Sequence, residues 1–305
     1  MKTTSGSRYR WRVGEIEITR VLEFEAALFE PAVIHPDVTP EIIERHRSWL
    51  EPTLINPASG LIVFAFHSTV IRTPHAIILV DTCSGNDKER PQKPRYHRKN
   101  WPYLANLAAA GFAPDDIDYV LCTHLHADHV GWNTVLKDGR WVPTFPNATY
   151  LFSRTENETG DPRRHPAADA DLLRGGAYRD SVLPVIEARQ ALLIDADHAI
   201  DDTMTIVAAP GHSRGHIAMW LANAAGRALF CGDVLHHALQ VHAPHWNSKF
   251  CELPALARAT RRTLLEQCAE YRALLFPGHF GAPHVAGIGA AAAGFSLQLV
   301  EPNTR

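Results

Sequence analysis

Residues 119 to 129, YVLCTHLHADH, run a short apolar segment straight into three histidines and an aspartate. A brief apolar run bounded by polar turns reads as a buried strand. The pattern recurs along the chain: IILVD ends on Asp81, MTIVAAPGH on His212, RALFCGD on Asp233 and ALLFPGH on His279. At 305 residues, a chain of such strands interleaved with helical segments fits a layered α/β fold around a single core. Gathered at one edge of stacked sheets, those ends make a single site.

The remaining segments fit such a frame. YRWRVGEIEITRVLEFEA reads as one or two edge strands, and LIVFAFHSTVIRT and HAIILVDTCSG as two strands joined by a tight turn at Thr73 and Pro74. WPYLANLAAAGF, YRDSVLPVIEARQ and LPALARATRRTLLEQCAEYR read as helices, the last amphipathic with Pro254 at its start. VPTFPNATYLFS, MTIVAAPGH, IAMWLAN and RALFCGD read as strands. The expected organisation is one domain over residues 1–305. A Pro-rich arm or lid at about 29–59 carries a short helix that Thr39 caps and Pro40 begins. The Lys/Arg-rich stretch SGNDKERPQKPRYHRKN is expected to be a solvated surface loop rather than an anion site.

Composition narrows the partners. A formal net charge of -3 supplies no overall attraction to nucleic acid. The opening MKTTSGSRYRWRVGEIEITR lacks an apolar leader, and no run reaches the roughly 18 apolar residues of a spanning helix. The expectation is a cytoplasmic protein without a membrane partner. Five scattered cysteines, Cys83, Cys122, Cys231, Cys251 and Cys268, are expected to be reduced thiols of the core.

The 18 histidines are the unusual entry in the composition, and their placement carries the chemistry. His124 and His126 are alternate residues, so a strand-to-loop turn presents both imidazoles on one side, as two ligands of one tetrahedral ion require. Asp128 and His129 lie just beyond and can address a second ion. His212 and His279 each follow Pro-Gly, which turns the next side chain outward. Asp233 ends a strand, where its two oxygens can serve two metals. Imidazole and carboxylate together suit Zn²⁺ first, and Fe, Mn or Co less strongly. His237, His242 and His245 have no slot in this set, and His216 is expected to pack or to support a ligand.

The His-x-His-x-Asp-His run, the later histidine, the Gly-Asp and the final Gly-His stand in the order that resembles the metallo-β-lactamase superfamily of dinuclear hydrolases. The resemblance implies a four-layer αβ/βα sandwich and two divalent metal ions. It implies His124, His126 and His212 on one ion, Asp128, His129 and His279 on the other, and Asp233 between them. Asp81 matches an aspartate of the family that is not a ligand, and it is a candidate for orienting a metal histidine. In such a site two cations acidify a shared water for attack on a carbonyl or phosphoryl centre. No protein nucleophile is needed in such a site.

Within the superfamily, CGDVLHHALQVHAPHWNSKF with its following helix most resembles methyl parathion hydrolase and the N-acyl homoserine lactonases. The lactonases place tyrosine three positions after the bridging aspartate, where this chain has His236. His236 is therefore expected to hydrogen-bond substrate or leaving group, and Asp128 to handle the water proton besides ligating. Trp132, Trp246, Phe250 and Phe280 are candidates for an aromatic pocket wall. The expected activity is hydrolysis of a small lactone or ester. Organophosphate triester hydrolysis and a mononuclear iron persulfide dioxygenase are the alternatives, and the resemblance to methyl parathion hydrolase implies a homodimer.

Overall fold

The computed structural model describes residues 9–164, 176–292 and 294–303. Its apolar runs pair into two seven-stranded sheets and one hairpin. In chain order β1 (Arg10–Val13), β2 (Ile16–Phe29), β3 (Ile62–Arg72), β4 (Ile77–Val80) and β5 (Tyr119–Cys122) lie side by side in the first sheet. A separate hairpin of β6 (Thr134–Lys137) and β7 (Arg140–Pro143) follows, after which β8 (Thr149–Ser153) and β9 (Ala191–Ile194) complete that sheet beside β5. The second sheet keeps sequence order through β10 (Ala199–Asp201), β11 (Met204–Ala208), β12 (Ile217–Asn223), β13 (Gly226–Gly232), β14 (Leu274–Pro277), β15 (Ala286–Ala291) and β16 (Gly294–Leu299). Mixed sheets with helices between their strands are the α/β class that the strand pattern predicts.

Four of the short apolar runs, β4, β5, β8 and β9, pair in parallel, and the last three residues of β4 and of β5 are all buried. A strand covered on both faces has no solvent side on which to alternate polar residues. Parallel neighbours also end on the same side, which decides where their loops meet. Val80 is in register with Leu121, so Asp81 and the 123–129 loop leave the sheet together. In the second sheet Phe230 pairs with Phe276 and Gly232 with Pro277 in parallel, which sets Asp233 beside the turn to His279. β12 runs antiparallel to both β11 and β13, so His212, after β11, and His216, before β12, belong to that same end.

The described residues form two compact units. One, the Asp233 unit, comprises Phe24–Ala65 and Ala199–Pro302; the other, the His124 unit, comprises residues up to Glu23 with Phe66–His198. The core of the His124 unit packs Leu79, Val120, Ile117, Tyr150 and Phe152 against Tyr103 and Leu107 of the helix Tyr103–Ala109. Trp132 belongs to this core. It stacks on Tyr103 at 5.1 Å and donates its indole N–H to Glu23 at 2.7 Å, which removes it from the expected pocket wall.

Helix boundaries follow the predicted signals with two differences. The helix Pro40–Leu50 starts at Pro40 after an extended Thr39, whose side chain makes no capping hydrogen bond. The 178–190 segment splits into a π-type turn, Tyr178–Val182, and the α-helix Leu183–Glu187. Pro184, which has no N–H to donate, marks the change. All five cysteines are buried and none is in a disulfide, as expected of core thiols. No helix among the described residues is long and apolar enough to cross a membrane.

Candidate metal centre

In the His124 unit the loop after β5 folds into a tight ligand cluster. The rings of His124 and His129 lie 4.0 Å apart and those of His124 and His126 4.5 Å apart. His124 Nε2 is 3.0 Å from His126 Nδ1, so two imidazole nitrogens face one another. Backbone bonds hold the loop: His129 N–H donates to His126 O, and Thr82 N–H to His129 O. The buried carboxylate of Glu156 receives the Leu125 N–H at 3.2 Å.

Asp81 supports this loop from the end of β4. Its Oδ1 accepts the Thr123 N–H at 2.8 Å, and its Oδ2 accepts the Thr123 hydroxyl at 2.9 Å. The same Oδ2 is 2.9 Å from His129 Nδ1. A carboxylate can only accept, so Nδ1 carries the proton and the Nε2 lone pair of His129 is turned outward. That is how an imidazole is prepared for a metal. Asp128 is met by a residue that the sequence did not flag: Tyr96 donates its phenol hydroxyl to Asp128 Oδ2 at 3.1 Å.

The Asp233 unit assembles a cluster of its own. His279 Nε2 lies 3.1 Å from Asp233 Oδ1, while His212 Nε2 and His236 Nε2 lie 3.4 and 3.3 Å from Asp233 Oδ2. His212, Asp233 and His236 each offer a ligand atom within 4.8 Å of the others. His279 provides the test of fit. Its Nδ1 is 3.0 Å from the carbonyl of Ala65, so Nδ1–H donates there and Nε2 is turned toward the Asp233 carboxylate. Two electron-rich atoms at that distance repel unless a proton or a cation joins them. The donor set is that of a divalent cation site built from imidazole and carboxylate.

Local packing explains why these turns contain glycine. A Cβ on Gly278 would stand 2.7 Å from Asp233 Oδ1, and one on Gly211 would stand 2.3 Å from the backbone nitrogen of Ala257 in the helix Pro254–Tyr271. Gly211 also has φ of 132°, which residues with a side chain rarely adopt. Asp233 is further fixed by His216, whose Nε2 accepts the Asp233 N–H at 3.1 Å. His216 therefore holds the Asp233 backbone.

His236 sits on a loop held from below. Its N–H donates to Gln240 at 2.7 Å, and the fully buried Arg261 donates to the carbonyls of Val234, Pro244 and Trp246. Burial lowers the Arg261 pKa to about 10 and holds His236 below the ordinary histidine range. Arg261 was legible in principle. It shares a buried helical stripe with Ala257, Leu264, Leu265 and Cys268, an odd place for a cation. Phe250, 36% exposed, is edge-tilted to the His236 ring at 5.7 Å and meets Phe29 at 6.0 Å. Phe64 stacks on His279 at 4.2 Å. Trp246 and Phe280 are buried. The aromatic rings found against these histidines are thus the exposed Phe250, which Phe29 meets, and the buried Phe64, of which the sequence singled out only Phe250.

The strand ends, the two sets of imidazoles around carboxylates and the Pro-Gly-His turns define a class of protein. Residues 63–279 match the model of the metallo-beta-lactamase superfamily, and the chain belongs to that superfamily. It is similar to N-acyl homoserine lactonase AttM of Azorhizobium caulinodans, 32% identical over 165 residues that cover 48% of this chain and 56% of that one. The chain spans between about half and two thirds of the length of the curated lactonases it matches. In fold it is similar to hydrolase AbOPH in the beta lactamase superfamily, with a TM-score of 0.80 and 21% identity over 99% of this chain and 100% of that one. AidC, a dizinc quorum-quenching lactonase solved with a product, N-hexnoyl-L-homoserine, gives 0.77 and 19% over 97% and 98%.

Proposed function

We propose that the chain is a dinuclear metal hydrolase that opens small lactones or esters, with His124, His126 and His212 on one ion, Asp128, His129 and His279 on the other, and Asp233 shared. The observation that carries the reading is Asp233, which has imidazoles on both of its oxygens, with His279 locked as an Nδ1–H donor to Ala65. The match to N-acyl homoserine lactonases supports the substrate class. Zn²⁺ fits the donor set best.

Two divalent cations in such a cradle supply an acidified water and polarise the carbonyl oxygen. The chain's own residues do the rest. Asp81 holds His129 in the tautomer that exposes Nε2, and His216 holds the Asp233 backbone. Asp128 takes the proton released on attack and passes it to the departing alkoxide. His236 hydrogen-bonds the substrate oxygen, and Phe250 with Phe29 offers an apolar shelf to the acyl or aryl arm.

The test is metal analysis coupled to a panel of acyl homoserine lactones, other lactones, aryl esters and aryl phosphotriesters. Two zinc-like ions per chain with lactone or ester opening foremost is the expected result. A single iron with oxygen consumption would overturn it, and phosphotriester hydrolysis without ester hydrolysis would move the substrate class.

A further inference from the structure

The basic loop is a solvated surface only in part: Arg98 is exposed, but two of the loop's cations turn inward. Lys88 is 0% and Arg90 3% exposed. Lys88 donates to Thr134 Oγ1 at 2.6 Å and to the Asp180 carbonyl at 3.3 Å, with its ammonium 3.6 Å from the centre of the Trp141 ring. Arg90 grips both carboxylate oxygens of Asp180 at 2.6 and 2.7 Å. Burying two cations is expensive even when they are paired, so this anchorage is not what exposure to water alone would produce.

Above the anchor the loop closes on itself. Arg98 N–H donates to Lys88 O, Asp87 N–H to Lys99 O, and Arg90 N–H to the ring of His97. Successive turns bond Lys93 N–H to Arg90 O and Tyr96 N–H to Lys93 O. Tyr96 leaves this framework half-buried, its ring edge-on to Phe66 at 5.7 Å and 72° and its hydroxyl on Asp128 Oδ2.

We infer that Tyr96 is a positioning residue for Asp128: the phenol fixes the rotation of that carboxylate, and the buried Lys88–Arg90–Asp180 anchor exists to hold the phenol there. The inference rests on the proposed function, because it takes Asp128 as a ligand of one of two ions. Asp128 lies in a loop and carries only a short side chain, so a directional donor on one oxygen selects one rotamer and lowers the cost of presenting the carboxylate to a cation. Nothing in the local sequence marks Tyr96, which sits among lysines and arginines.

The experiment compares metal-loaded wild type with Tyr96→Phe, which keeps the ring against Phe66 and removes only the hydroxyl. Arg98→Ala serves as the control, since its ion pair with Glu89 in the same loop is exposed. Release of metal to a chromogenic chelator is followed with time, beside kcat, KM and the thermal midpoint. The expected result for Tyr96→Phe is one ion released about tenfold faster while the other keeps its rate. kcat falls in parallel, with KM and the thermal midpoint close to wild type. Arg98→Ala matches wild type in every readout. Metal release unchanged in Tyr96→Phe overturns the inference, whether kcat stays or falls, since a phenol acting on substrate would not pass through Asp128. A lowered midpoint with wild-type metal release assigns Tyr96 to loop stability and also overturns it. Wild-type protein that takes up no metal overturns the reading of the site itself, and the inference with it.

Discussion

Asp81 and His129 leave neighbouring parallel strands and meet as a carboxylate–imidazole pair, Oδ2 to Nδ1 at 2.9 Å, with Asp81 held at φ 56° by its bonds to Thr123. Asp is among the few residues with a side chain that adopt this left-handed conformation readily. The pair fixes the tautomer of His129 without spending a ligand. Asp81→Ala is expected to weaken retention of metal by roughly 10- to 100-fold while the chain still folds. Equilibrium dialysis against graded free zinc, with circular dichroism as the check on folding, decides it. Wild-type affinity in the variant would remove the orienting role.

His236 is buried beside Asp233 yet lies next to the half-exposed Phe250. The proposed hydrogen bond from this ring to a substrate oxygen predicts that His236→Ala is a kcat variant. A fall of about 100-fold in kcat is expected, with two ions retained per chain. Loss of an ion instead would make His236 a ligand, and unchanged turnover would leave it a packing residue.

Gly278 is glycine because Asp233 occupies the space where its Cβ would stand. Gly278→Ala is expected to push the carboxylate off its imidazole partners His212, His236 and His279 and to lower metal content and turnover together. Because Gly278 N–H already donates to Gly232 O, the turn itself is expected to survive. Metal analysis of the soluble variant is the measurement, and full metal content with full activity would contradict the steric account.

Glu23 is fully buried, and desolvation pushes its pKa up to about 7 against the pull of Ser84, Gly85 and the Trp132 indole. The folded state therefore keeps a proton that the unfolded chain releases above its ordinary value of 4.5. This contribution to stability is complete below that value and is lost as pH rises to about 7. Relative to Glu23→Gln, wild type is expected to lose about 2 kcal/mol of unfolding free energy between about pH 5.5 and about pH 8. Urea titrations of both proteins across that range test it, and parallel curves would show that Glu23 titrates normally.

Much of the site was legible in the chain because strand ends are written locally. An apolar run of four or five residues that stops on Asp or His announces both the strand and the group it delivers. Asp81, His124, Asp233 and His279 were found in this way, and each stands directly after a strand or its terminal turn. His216 was legible as a supporting residue, although its target, the Asp233 N–H, was not.

Sequence by itself determined the α/β class, the strand ends that carry donors, the reduced cysteines and the chemical type of the ligands, since each follows from hydrophobic runs, turn residues and donor identity read over a few positions. Tertiary structure alone decided that Lys88 and Arg90 go inside, that Trp132 joins the core, that Tyr96 reaches Asp128, and that Arg261 holds the His236 loop. Those outcomes depend on partners 32 or more positions away for Tyr96, and 90 or more for Arg90 with Asp180. Whether a charged or aromatic side chain is worth burying is settled by the group it meets, and that group is known only once the chain has folded.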